Sequence, residues 1–282
     1  MIGDLPREFL ARLDEAVASG VISPPQISGV PKGFPFSIAT VAVDLPDGCR
    51  PPRSAPRRVA VGRGETDEEA SLLALAEGVE RYSLQFHRGL PEELEPFVFS
   101  GGRKLSTTTD CILLGAPGAT ERVTSKGTAA GCTLEDAGRR ALLELIEEHC
   151  VQAFQDDCHS LMGLFESVPS STLGSLIAWL KKQYRRLHLR LRNFEGCCWV
   201  AVALLSDFDG ARPTEGAAAG LDPLLALQHA AWEAVFHWRN MVALEMNAIT
   251  TECMSDADRS AVMVYRGALP RPIWPMGKSR TG

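Results

Sequence analysis

"GRGETDEEASLLALAEGVERY", Gly62 to Tyr82, decides how this chain is read. Glycines come first, then Thr66 and four acids, then an alanine-rich run that closes on Glu77, Glu80 and Arg81. Thr66 followed three residues on by Glu69 is a capping box, so a helix starts here. Ala70, Ala74 and Glu77 are spaced four and three apart and share one face of that helix. Small side chains there let another backbone approach closely, and the same stripe ends in a carboxylate.

The pattern G-x5-A-x3-A-x2-E occurs three times without a gap. It runs through Gly64, Ala70, Ala74 and Glu77, then Gly131, Ala137, Ala141 and Glu144, then Gly220, Ala226, Ala230 and Glu233. Two residues after each glycine stands an N-cap type, Thr66, Thr133 or Asp222. Each copy therefore reads as glycine turn, cap and helix. The unequal spacing excludes a solenoid and favours three related helices in one domain. Helices are expected over about 5–19, 67–88, 134–155, 171–186 and 222–243, with strands near 36–45, 111–115, 187–194 and 197–206. The fold class expected is α/β (α+β), with the glycine-turn/helix units packed on β-sheets. One domain spans 1–282: an N-terminal helix within 1–25, the pattern-bearing core at 60–240, and an irregular Pro-rich tail at 267–282.

Composition narrows the partners. The 282 residues are 45% hydrophobic and 23% charged, with net charge −6 and no Lys/Arg-rich block. Nucleic acid and anionic membrane are not suggested. The start lacks a signal peptide's basic and apolar regions, and no run approaches about 18 apolar residues, so a cytoplasmic location is expected. Eight cysteines include no Cys-x-x-Cys pair and read as reduced, mostly buried thiols. The six histidines form no Cys/His or Ser/His signature.

The first two helices carry a second acid one turn on. If the alanine stripes face a common centre, Glu77, Glu80, Glu144, Glu147 and Glu233 converge. Such a cluster repels itself unless a cation sits inside it. Magnesium suits it, taking oxygen ligands and completing its shell with phosphate oxygens. The segments "GRG", "KGTAAG" and "GAAAG", read as turns, would offer backbone N–H groups to phosphate. Taken singly, each Glu pair reads as a solvated helix face; the repetition argues for the site.

"GRGETDEEASLLALAEGVERYS" and "SKGTAAGCTLEDAGRRALLELIEEH" resemble two blocks of the YcaO family, and "GAAAGLDPLLALQHAAWEAVFHWR" is similar to a third. The resemblance covers about 60–240. It implies an ATP- and Mg2+-dependent enzyme that phosphorylates a backbone amide of a ribosomally made peptide. A Ser, Thr or Cys side chain then gives an azoline, or sulfide gives a thioamide. It makes Glu77, Glu80, Glu144, Glu147 and Glu233 the metal and nucleotide acids. Arg63, Arg81 and Lys126 become the basic contacts, with Arg239 behind them; Arg81 is equally an i, i+4 partner of Glu77. A TfuA-like or leader-peptide-binding partner protein is implied for substrate delivery, and a homodimer is possible. The chain departs from the family pattern at Leu73, Arg140, Glu148, Phe236 and His237. The alternative reading is therefore a non-catalytic scaffold subunit of a peptide-modifying complex; a kinase or ligase acting on a small metabolite is a third.

Overall fold

Alternation of apolar with small or polar residues in "SIATVA" and "VAVGRG" makes strands of both. The computed structural model describes residues 5–44, 59–85, 93–94, 107–108, 113, 125–156, 164–165, 171–247 and 256–267. The chain divides into two compact units, Met1–Leu142 and Leu143–Gly282.

In the first unit, helix α1 (Arg7–Ala18) is followed by β1 (Gln26–Ile27), β2 (Ser37–Ala42), β3 (Val59–Gly64) and α2 (Asp67–Ser83). The short strands β4 (Glu93–Leu94) and β5 (Thr107–Thr108) pair antiparallel. Helix α3 (Leu134–Asp156) then begins. The sheet order is β1-β2-β3, antiparallel throughout, with Ser37 opposite Gly64 and Val41 opposite Ala60. Helix α2 lies on β2 and β3. Its stripe residues Ala70 and Ala74 are fully buried in one core with Ile22, Ala39, Val41 and Ala60.

The second unit takes the rest of α3, then β6 (Leu164–Phe165), α4 (Ser171–Lys182), β7 (Arg185–Phe194), β8 (Cys198–Asp207), β9 (Thr214–Gly220), α5 (Pro223–Met246) and α6 (Asp256–Tyr265). Its sheet runs β6-β7-β8-β9, again antiparallel, with Ala203 opposite Gly216 and Ala201 opposite Ala218. Helix α5 packs on β8 and β9. Cys150 of α3 packs with Val200 and Val202, whose side chains alternate with those of Ala201 and Ala203 along β8. Buried on both faces, β8 reads as the near-continuous apolar run "CWVAVALLS".

Several segments differ from the sequence expectation; the helix expected over 171–186 ends at Lys182, and Arg185 and Arg186 open β7. "GRG" and "GAAAG" are not turns but the ends of β3 and β9, and α2 stops at Ser83 rather than near 88. Intrinsic propensity disfavours a strand made of "TEGAAAG"; tertiary packing overrides it. A Cβ added at Gly216 would stand 2.3 Å from the Ala230 carbonyl oxygen, and one at Gly62 only 1.9 Å from that of Ala70. Strand and helix approach so closely that both faces must be small. The strand expected at 111–115, apart from buried Leu113, and the tail beyond residue 267 lie outside the described residues.

Candidate functional site

Among the described residues β3 and β9 are the outer strands of their sheets, so each has one row of amides and carbonyls without a strand partner there. Such groups need partners when they are partly buried. The glutamate-bearing helices supply them. Glu77 Oε2 accepts the Val61 N–H at 3.1 Å, and Glu233 Oε2 accepts the Ala217 N–H at 2.7 Å. Acid and amide are 16 residues apart in both cases. Four residues beyond each acid a nitrogen base takes the carbonyl two residues before that amide. Arg81 donates to the Val59 carbonyl at 2.6 Å, and His237 Nδ1 lies 2.7 Å from the Glu215 carbonyl. A carbonyl only accepts, so His237 carries its proton on Nδ1. The first and third copies thus build the same clamp in the same register. Arg81 also pairs with Glu77 Oε1, the i, i+4 role weighed from sequence.

The second acids make a different contact. Glu80 Oε2 accepts the Ala130 N–H at 3.1 Å, and Glu147 Oε2 accepts the Ala219 N–H at 3.0 Å. Each donor is the residue just before a pattern glycine, Gly131 or Gly220. One copy's second acid therefore holds the amide that leads into the next copy's helix. In the third copy that place is Phe236, and the sequence of contacts ends there. A carboxylate that accepts a backbone N–H is fixed in one direction.

Within the first unit, Glu80 lines a cavity of about 510 Å³. Phe9, Arg12 and Leu13 of α1 form one wall; Thr128 to Gly131 and the N-terminus of α3 form another. The Thr128 hydroxyl donates to the Ser125 carbonyl at 2.5 Å and stands 3.5 Å from Glu80 Oε1. "KGTAAG" is thus an irregular loop against the first turn of α3, and the expectation of a helix-opening turn holds for this copy alone. That first turn is capped by Thr133 Oγ1, which accepts the Asp136 N–H, while Asp136 Oδ2 accepts the Cys132 N–H. Partial burial works to raise the Asp136 carboxyl, but hydrogen bonds from Arg139 and Cys132 and the Arg140 charge hold it below its ordinary value. Arg140, standing where the fullest form of the family's second block has an acid, is committed to Asp136.

The other sequence candidates lie as follows. Arg63 sits on the face of β3 opposite Ala60, Gly62 and Gly64, half-buried. Lys126 is exposed in the turn before Gly127, which takes a left-handed φ of 75°. Glu144 is half-buried on α3, one turn before Glu147. Cys150 and Cys198 are free, and burial pushes both thiols up, which suits packing rather than nucleophilic work. No helix among the described residues is long and apolar enough to cross a membrane. Sequence reading missed the outer-strand clamps and the part His237 plays in one of them. The signal was present: a base four residues after Glu77 and again after Glu233.

These acids fit a magnesium ion by their chemistry. They are oxygen donors only, and each is oriented by an amide that uses one of several lone pairs. Among the described residues no group of three or more His, Cys, Asp or Glu side chains is gathered as a metal site. Magnesium does not require such a cage, since it takes one or two carboxylates and keeps waters and phosphate oxygens.

Helix-borne acids that clamp outer strands, beside a glycine-led loop, are the setting in which the comparisons fall. The family model described as YcaO cyclodehydratase, ATP- and Mg2+-binding, matches residues 99–271, more than half of the chain. The chain belongs to the YcaO family. No curated protein matches it by sequence. A heterocyclase solved in complex with substrate and cofactor superposes with TM-score 0.68 at 18% identity, over 95% of this chain and 44% of that one. This chain therefore spans less than half of the heterocyclase. The YcaO protein of Methanopyrus kandleri, bound with AMPPCP and Mg2+, gives TM-score 0.59 at 18% identity, over 87% of this chain and 69% of that one. The E. coli microcin synthetase McbBCD complex gives 0.62 at 11% identity, over 84% and 69%. At such identities the likeness is one of fold.

Proposed function

We propose that this chain uses ATP and Mg2+ to activate a backbone amide of a ribosomally made peptide. The γ-phosphoryl group passes to the amide oxygen and ADP departs. A nucleophile then adds at the amide carbon, and phosphate leaves with that oxygen. A Ser, Thr or Cys side chain gives an azoline, and sulfide gives a thioamide. Phosphoryl transfer of this kind depends on positioning and charge neutralisation.

The single observation that carries this reading is the shared register in which Glu77 and Glu233 are aimed by outer-strand amides. Mg2+, where bound, neutralises phosphate charge. The chain's own residues do the rest. Glu77, Glu80, Glu147 and Glu233 are oriented by backbone amides. Arg81 fixes Glu77, and the loop from Thr128 to Gly131 brings backbone close to the Glu80 carboxylate. Arg63, Lys126 and Glu144 complete the proposed nucleotide set. Family membership and the nucleotide-bound Methanopyrus kandleri relative support ATP and Mg2+ as cofactors.

A partner protein, TfuA-like or leader-peptide-binding, delivers the peptide in this reading; the McbBCD relative is itself a complex. A homodimer in the cytoplasm is the assembly proposed. The test is incubation with ATP, Mg2+, sulfide and candidate peptides, with and without the partner, read by peptide mass. Loss of one water marks azoline formation, and exchange of oxygen for sulfur marks thioamide formation. ATP binding without either product, in every partner combination, would sink the catalytic reading. The scaffold alternative draws on one observation: Arg140 puts a cation, paired with Asp136, where the family pattern carries an acid.

A further inference from the structure

The family resemblance marks His237 as a departure, yet the structure gives it a defined place. In the first copy, Arg81 holds the Val59 carbonyl while Glu77 holds the Val61 N–H two residues on. In the third, His237 holds the Glu215 carbonyl while Glu233 holds the Ala217 N–H. Base follows acid by four residues in both, so the two side chains rise from one helical face and grip adjacent outward-facing groups of one strand. Three groups of the outer row of β9 are engaged in this way: Glu215 C=O by His237, Ala217 N–H by Glu233, and Ala219 N–H by Glu147.

We infer that His237 is a positioning residue for Glu233, and so for the metal–nucleotide site, an inference that rests on the function proposed above. The strand amide that aims Glu233 lies in the same short segment as the carbonyl His237 grips. Releasing that carbonyl lets the outer strand pull away from α5. The Ala217 N–H then moves from Glu233, whose carboxylate loses the bond that fixes its rotamer. Unlike Arg81, which also pairs with its acid, His237 acts on Glu233 through the strand backbone. It needs only the Nδ1–H that faces the Glu215 carbonyl. Groups that orient a metal-binding carboxylate typically change metal affinity by about tenfold or more when removed.

Three substitutions test this. His237→Phe removes the donor, His237→Asn keeps a short neutral one, and His237→Arg installs the base of the first copy. Two quantities are read: amide hydrogen exchange over residues 214–220 without ligand, and the Mg2+ midpoint for ATP-dependent thermal stabilisation. The expected result is faster exchange and an Mg2+ midpoint raised about tenfold in His237→Phe, with Asn and Arg both restoring towards wild type. Unchanged exchange in His237→Phe overturns the inference. So does faster exchange with an unchanged Mg2+ midpoint, which would make His237 a strand cap only. Should His237→Phe fail to fold, His237→Leu, also without a donor, carries the same readouts. If the wild-type protein gives no response to ATP and Mg2+, the functional reading fails; exchange then still shows whether His237 holds the strand that aims Glu233.

Discussion

Gly216 and Gly220 lie on one strand and answer differently to a single added methyl group. At Gly216 a Cβ meets Ala230 O at 2.3 Å and Ala234 N at 2.4 Å, backbone atoms of α5 that cannot swing aside. At Gly220, the pattern glycine, the nearest atom is 3.6 Å away. Gly216→Ala should therefore cost about 1–3 kcal/mol, and Gly220→Ala less than about 0.5 kcal/mol, compared by urea unfolding midpoints. Equal costs would mean that β9 and α5 are not in close contact. The carboxylate at Glu233 has its own test. Gln keeps an oxygen to accept the Ala217 N–H but carries no charge. Glu233→Gln should fold with nearly unchanged stability and lose most of the thermal shift given by ATP with Mg2+. A full shift in that variant would remove Glu233 from the metal set.

At the scale of elements, the caps were the most legible feature. Thr66, Thr133 and Asp222 all accept backbone N–H groups at the helix starts where the sequence puts them. Capping is local, needing only residues three apart, so no tertiary knowledge is required. Replacing Thr133 by Ala should cost about 1 kcal/mol in the unfolding midpoint. Asp136 adds a pH dependence. Its folded carboxyl sits below the unfolded value of about 3.9, so its contribution is fully present above that value and is lost as pH falls through the folded one. The stability gap between wild type and Asp136→Asn should hold from pH 7 down to about 5 and close below about 4. A gap that persists at pH 2 would contradict this. The outer strands were not legible: "GAAAG" has turn composition, and pairing with β8 under the closely packed helix makes it a strand.

Across the second unit, the two ends of β7 and β8 and the body of α5 are joined at Arg185. It is 2% exposed, bonded to Asp207 Oδ1 at 2.5 Å and to the Arg212 carbonyl at 2.8 Å, and stacked over Trp238 at 4.8 Å. Burial pulls its pKa down, against the hydrogen bond and charge of Asp207. Removing one partner leaves a buried charge unpaired, so Asp207→Ala should lower stability by about 3–5 kcal/mol, seen as a clear drop in calorimetric Tm. A drop near zero would show that Arg185 finds other partners. No spacing rule foretold this pair, because its members are distant in sequence and meet only through the β7–β8 register. The same contrast holds for the whole chain. Sequence by itself determined the helices, their caps and the face on which the acids stand, since all of these follow from contacts within one or two turns. What each acid touches, which glycine is indispensable, and that β3 and β9 are strands at all were decided by tertiary structure. Those properties depend on how closely a helix backbone approaches an outer strand, a distance that no local pattern encodes.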